Sequence, residues 1–299
     1  MPVRTEVVMG TLVTIEVAGS GVAGLEPEAA MERAFGWFFE IEERCTRFDA
    51  RSELMQLNAR AGEPVEASPI LFEAVRFALT VAAESGGAFD PAVGQSMESR
   101  GFNREHRTGE IVRSALAADP DVSYRDVQVD AEHRTITLKR PLTLDLGAVA
   151  KGLAVDTAAR ELEPFRDFAI DAGGDLYLGG RDPKGELWSV GIRHPRREGE
   201  LIDRFRVSNQ AVCTSGDYER GEHIIDPREH PRDVRKAGSG AASVTVIAPH
   251  AMLADALATA AFVMGPAEGI PFLTRMGVEG LIVTQDLERY ETRGLRRAA

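Results

Sequence analysis

Residues 168–180, FAIDAGGDLYLGG, decide the fold class, because they read as short strands punctuated by glycine. The same reading extends to LWSVGIRHP at 187–195, RFRVSNQAVCTS at 204–215 and SVTVIAP at 243–249. TLVTIEVA at 11–18 is rich in β-branched residues and alternates, which predicts a strand entering the core early. VQVD at 127–130 and TITLKRPLTLDL at 135–146 predict an antiparallel hairpin.

Helical period is confined to other segments. It runs over Glu26 to Cys45, over RSELMQLNARAG ending at Gly62, and over AKGLAVDTAARELEPF at 150–165. SPILFEAVRFALTVAAESGG carries Ser68 as N-cap, Pro69 at the first helical position and Gly86-Gly87 as its stop. A further helix is expected from Ser114, before the hairpin. MLADALATAAFVM at 252–264 reads as a buried helix, and PFLTRMG with VEGLIVTQ as a helix and a strand after it. Strands in runs and helices in groups predict an α+β fold rather than a doubly wound parallel sheet. No repeat of 20 to 50 residues recurs, so a solenoid is excluded. Residues 227–240 are expected as a mobile loop and 290–299 as a polar tail, within one domain of two lobes over 1–299.

Lys+Arg 35 against Asp+Glu 47 gives a net charge of −12, which repels a nucleic-acid backbone. Cys45 and Cys213 form no C-x-x-C pair, so neither a disulfide framework nor a thiolate zinc site is indicated. The start of the chain shows no basic stretch followed by an apolar one, and no stretch reads as long enough to span a bilayer. These features predict a cytoplasmic protein without membrane insertion.

Glycine recurs beside acidic residues in SGGAFDPAVG, LDLGAVAKG, DAGGDLYLGG and TSGDYERGEH. Such backbone can approach a ligand closely, although a Gly-Gly-Asp sequence taken singly is most often only a turn. None of these is a dinucleotide-binding or Walker fingerprint, and Ser215 lacks a nucleophile elbow. A metal-assisted phosphate site remains, with Lys151 as a point charge and Asp255 and Thr259 as oxygens for Mg²⁺ one helical turn apart. The plainer alternative makes Asp255 an exposed first-turn residue and Thr259 a hydroxyl bonded one turn back. His223 reads either as a general base or phosphate ligand, or as a polar residue opening a strand.

Eight collinear stretches then add to this reading: MGTLVTIEV, RFDARSELMQLN, GGAFDPAVG, LDLGAVAKGLAVD, DAGGDLYLGG, AVCTSGDYER, HIIDP and SVTVIAPHAMLADALATAAFVMG. Through them, nearly the whole chain resembles the ApbE family of FAD:protein FMN transferases. The resemblance implies a T-fold-like α+β architecture of two lobes with mainly antiparallel sheets and a cleft binding FAD. It implies Mg²⁺ held by Asp255, Thr259 and the carbonyl of Ala148, and FAD contacted by Met9, Phe48, Ala88, Phe89, Asp90, Asp145, Lys151 and Ile225. Phe48 stands where a tyrosine is common. His223 matches the candidate catalytic histidine, beside Lys151 and Asp255. The implied reaction moves FMN from FAD to a Thr or Ser hydroxyl of an acceptor flavoprotein and releases AMP. Hydrolysis of FAD to FMN and AMP, or flavin binding without turnover, are the alternatives at the same site. The chain departs from the family in REHPRDVRKAGSG, where a short Thr-Gly segment commonly follows HIIDP, and in lacking the export signal that many members carry.

Overall fold

A computed structural model of the chain describes residues 1–19, 21, 24–105, 108–114, 116, 119, 121–220, 224–228 and 240–295. The elements run in the order β1 (Val3–Val8), β2 (Thr11–Val17), α1 (Pro27–Cys45), α2 (Glu53–Asn58), β3 (Pro64–Glu66) and α3 (Pro69–Glu84). Next come α4 (Gly94–Ser99), β4 (Val127–Asp130), β5 (Thr135–Leu138), α5 (Gly147–Leu162), β6 (Phe168–Ala172), β7 (Asp175–Gly179), β8 (Trp188–Arg193) and β9 (Leu201–Val207). The chain then forms β10 (Gln210–Gly216), α6 (Asp217–Arg220), β11 (Ala241–Ala248), α7 (Ala251–Arg275), β12 (Glu279–Thr284) and β13 (Arg289–Glu291). It divides into two compact units. One comprises Met1–Phe39, Lys151–Gly221 and Ser239–Ala299, and the other Glu40–Ala150 and Glu222–Gly238.

The first unit is built on an eight-stranded sheet of order β1-β2-β6-β7-β10-β11-β12-β13. Every neighbouring pair in it is antiparallel. Two of its hairpins turn in two residues with both φ angles positive, Met9-Gly10 and Gly173-Gly174. That is the type I′ geometry whose twist matches paired strands. In β11 all eight residues are buried, so both faces of the sheet centre are covered. The β8–β9 ribbon supplies Val190, Ile192, Phe205 and Val207 to a cluster with Leu178, Val212, Ile247, Leu281 and Val283. The alternate side chains of β10 and β11 belong to the opposite face, where α7 packs against β10, β11 and β12.

Alanine dominates the buried side of α7: Ala251, Ala254, Ala256, Ala258, Ala260 and Ala261 are all inaccessible. Small side chains let the helix axis lie close to the sheet. Gly265, at φ 70° and ψ −178°, breaks α7 before Pro266, which separates the two helical segments read from the sequence. By length and mean hydropathy α7 could cross a bilayer, contrary to the expectation that no stretch is long enough. Its burial against β10, β11 and β12 makes it a core helix of this unit.

The second unit holds α2, α3, α4 and a three-stranded sheet of order β3-β5-β4. The expected β4–β5 hairpin forms, with Val127 opposite Leu138. In α3, Ser68 accepts the Leu71 amide at 3.2 Å and Pro69 opens the helix, as the sequence predicts. Two expectations fail locally. Between Ser114 and β4 the described residues form no α-helix, only a single 3-10 turn at Tyr124–Asp126. There the Ser114 amide and hydroxyl are spent on the Glu98 carboxylate (3.1 and 2.9 Å), and Asp119 turns back on the Asp121 amide. Helix α2 stops at Asn58, short of Gly62, where the Asn58 side chain accepts the Leu144 amide at 3.0 Å. The polar tail begins inside β13, which pairs with β12.

Candidate active site

In the first unit the site grows from α7. Asp255 and Thr259 lie one turn apart on it, and Asp255 is only 6% exposed. Asp255 is therefore not the exposed first-turn residue of the plainer reading. The Thr259 hydroxyl lies 3.2 Å from that of Ser215 on β10, instead of bonding within its own helix. A pair of hydroxyls thus lies between α7 and β10, one helical turn from a buried carboxylate. Among the described residues no group of three His, Cys, Asp or Glu side chains could hold a metal. The donors are hard oxygens, too few to enclose an ion and of the kind that suits Mg²⁺, which keeps water and phosphate oxygens in its shell. The residues fit that ion.

Lys151 adds a positive charge to the same unit. Its ammonium is ion-paired with Asp175, a carboxylate only 1% exposed at the start of β7. The Gly173-Gly174 turn sets where Asp175 stands, and a Cβ on Gly173 would collide with the Thr11 side chain. Cys213 is fully buried on β10. Its thiol is pushed well above the usual range by burial first and by the Asp255 charge second, while Lys151 opposes the shift.

The start of α7 is fixed from α5. His250 stands at the N-cap without a side-chain cap bond. Asp156 takes its place, accepting the amides of Ala251 and Met252 at 2.6 and 3.0 Å. One turn earlier, Gly152 allows close approach, since a Cβ there would lie 2.5 Å from the Met252 backbone. Burial raises the Asp156 carboxyl above its ordinary range, and the two amides pull it back. Met9 completes the described candidates in this unit, at φ 53°, a left-handed conformation that a methionine rarely adopts.

In the second unit Phe48 and Asp145 meet around Arg47, which is 5% exposed. Its guanidinium pairs with Asp145, donates to the Phe102 carbonyl and lies 4.3 Å over the Phe48 ring. The other Asp145 oxygen accepts the Gly147 amide at 2.7 Å, and the Asp145 amide donates to the Pro91 carbonyl at 2.7 Å. Asp90 is buried and accepts the amides of Ala92 (2.8 Å) and Tyr124 (2.9 Å). Burial outweighs these bonds and raises its carboxyl to about 6. Ala88 and Phe89 belong to the core at 1% and 5% exposure, and Ile225 is half-buried. Ala148 departs from helical geometry within α5 (φ −91°, ψ 17°), so its carbonyl leaves the regular direction of the helix. His223, and residues 229–239 of the expected loop at 227–240, lie outside the described residues.

Sequence reading missed Arg47 in the second unit, and Asp156, Asp175 and Ser215 in the first, as groups that hold the candidate residues or their elements. Each stands inside a stretch already singled out, RFDARSELMQLN, LDLGAVAKGLAVD, DAGGDLYLGG and AVCTSGDYER. The signal available was a charged or hydroxylic residue within a glycine-rich or helical motif, without any indication of its partner.

Residues 9–282 match the family described as the ApbE family. The chain is 33% identical over 312 residues to the FAD:protein FMN transferase of Rhodobacter capsulatus, covering 98% of this chain and 57% of that protein. It therefore spans little more than half the length of that relative. It is 32% identical over 323 residues to the FAD:protein FMN transferase of Treponema pallidum, with 95% and 84% covered. The crystal structure of the ApbE protein of Thermotoga maritima superposes with a TM-score of 0.84 at 27% identity, covering 99% of each chain. The flavin transferase ApbE of Vibrio cholerae shares the fold, with a TM-score of 0.83 at 23% identity over 98% and 97% of the two chains. A family match over most of the length, carried on a mainly antiparallel α+β fold, places this chain in the ApbE family.

Proposed function

We propose that the protein transfers the FMN part of FAD to a Thr or Ser hydroxyl of an acceptor flavoprotein and releases AMP. The observation that carries the reading is the Asp255–Thr259–Ser215 oxygen group in the unit that also holds Lys151. The relatives named FAD:protein FMN transferase support the choice of substrate.

Asp255 and Thr259, with the carbonyl of Ala148, would hold Mg²⁺, which supplies charge neutralisation to a diphosphate when bound. The Lys151 ammonium adds a second positive charge for the same anion. The acceptor oxygen attacks the phosphorus of the FMN half, the bond to the AMP phosphate breaks, and the acceptor proton passes to a base, a role we assign to His223. Phe48, Ala88, Phe89, Met9 and Ile225 would contact the flavin or adenine rings. Asp90 and Asp145 enter this reading as supports for the backbone around the ligand, since backbone amides occupy both Asp90 oxygens and Arg47 and Gly147 those of Asp145.

Incubation with FAD and Mg²⁺, with and without a threonine-bearing acceptor domain, tests the proposal by mass spectrometry. We expect FMN added to the acceptor and AMP released together with it. Free FMN formed equally fast without acceptor would make the enzyme a pyrophosphatase, and intact FAD throughout would make it a binding protein. Asp255→Ala is expected to abolish Mg²⁺-dependent AMP release while the far-UV circular dichroism is unchanged.

A further inference from the structure

Asp175 has no role in the chemistry described so far, yet it is the most deeply buried carboxylate at the site. Its side chain is 2% exposed and its ionic partner among the described residues is Lys151, whose side chain is 21% exposed. A carboxylate so far from water is costly unless it is paired. A lysine ammonium on four rotatable bonds would otherwise sample many positions. The type I′ turn at Gly173-Gly174 leaves Asp175 little freedom, so the rigid partner is the carboxylate and the adjustable one is the lysine.

We propose that Asp175 is the positioning residue for Lys151, holding the ammonium in place before an anionic diphosphate arrives. The inference rests on the transferase reading for its ligand, but the ion pair itself can be tested without FAD. Ordering Lys151 during folding removes that entropy cost from binding and from the transition state. The pair also explains how one lysine serves two anions: Asp175 takes part of its hydrogen-bonding capacity, and a phosphate oxygen can take the remainder, because an ammonium has three donors.

Two measurements decide it. In ligand-free protein, N-hydroxysuccinimidyl acetate followed by peptide mass spectrometry reads each of the four lysines, Lys139, Lys151, Lys184 and Lys236. Lys151 should be acetylated more slowly than the exposed Lys184, and Asp175→Asn should speed Lys151 about five-fold or more while Lys184 is unchanged, as expected when an amine loses its ionic partner. An unchanged Lys151 rate overturns the pairing. With FAD and acceptor, Asp175→Asn should lower kcat/KM about ten-fold in the natural background and less than about two-fold in Lys151→Met, as for two groups acting through one interaction. Equal losses in both backgrounds would show that Asp175 serves the fold alone. If Asp175→Asn fails to fold, Asp175→Glu keeps the charge but displaces the ammonium by a methylene. Lys151 should then stay protected while kcat/KM falls about five-fold or more, and full activity would overturn positioning. A natural protein that neither binds nor turns over FAD would refute the transferase reading, while the acetylation result would still decide the pair.

Discussion

Asp90 carries a pH dependence whose sign follows from its burial. Its carboxyl titrates at about 6 in the folded protein, above an ordinary value of 3.8. Between these values the folded state binds more protons than the unfolded one, so stability falls as pH rises from about 4 to about 6 and levels off above. The loss approaches roughly 3 kcal/mol if this group acts alone. Asp90→Asn should flatten that part of a urea-denaturation profile, and an unchanged slope would show that Asp90 does not titrate there. The two cysteines make a simpler case. Cys45 is pushed up to about 12, chiefly by burial, and burial also pushes Cys213 well above the usual range. Both thiols should resist a disulfide reagent in the native protein and react in denaturant, and rapid native labelling would contradict their burial.

At the scale of elements, the joint between α5 and α7 offers the sharpest test. Asp156→Ala leaves the buried amide of Ala251 and the half-buried one of Met252 without their acceptor, which should cost about 1–3 kcal/mol for the first, less for the second, and lower Tm. Gly152→Ala forces a methyl group against backbone, where nothing flexible can give way, and should destabilise by about 1–3 kcal/mol. Both variants shift the start of the helix that carries Asp255, so both should weaken Mg²⁺-dependent activity beyond their effect on stability. Local chemistry made much of this legible in advance. Ser68, Pro69 and the paired glycines after Ser85 marked α3, and alternation marked β2, β4 and β5, because caps and period are properties of neighbouring residues. The helix expected from Ser114 and the extension of α2 failed for the opposite reason. Ser114 and Asn58 are tied instead to Glu98 and Leu144, partners distant in sequence that neighbouring residues do not announce. The spacing of Asp255 and Thr259 puts them on one helical face, but Ser215, 44 residues from Thr259, could be placed beside that face only by the sheet.

For the whole molecule, sequence pattern identified the α+β class, while strand order came from pairings it does not encode. β2 pairs with β6 across the whole of α1 and the second unit's main segment, and β7 pairs with β10 across the β8–β9 ribbon. The order leaves β1 and β13 at the two ends of the sheet. Those ends are unlike. β13 is three residues long and bears Arg289 and Glu291, which blunts it as a template for another strand. β1 runs for six residues and exposes Val3 and Val7, with Leu12 of β2 opposite Val7, all more than half accessible. A free edge of that length, carrying aliphatic side chains, is where a second chain can add in concentrated solution. The net charge of −12 opposes such association at low salt and less so once salt screens it. Light scattering should therefore rise with ionic strength, and Val7→Lys should suppress the rise without lowering Tm, so colloidal behaviour would be governed by the strand furthest from the centre of the sheet.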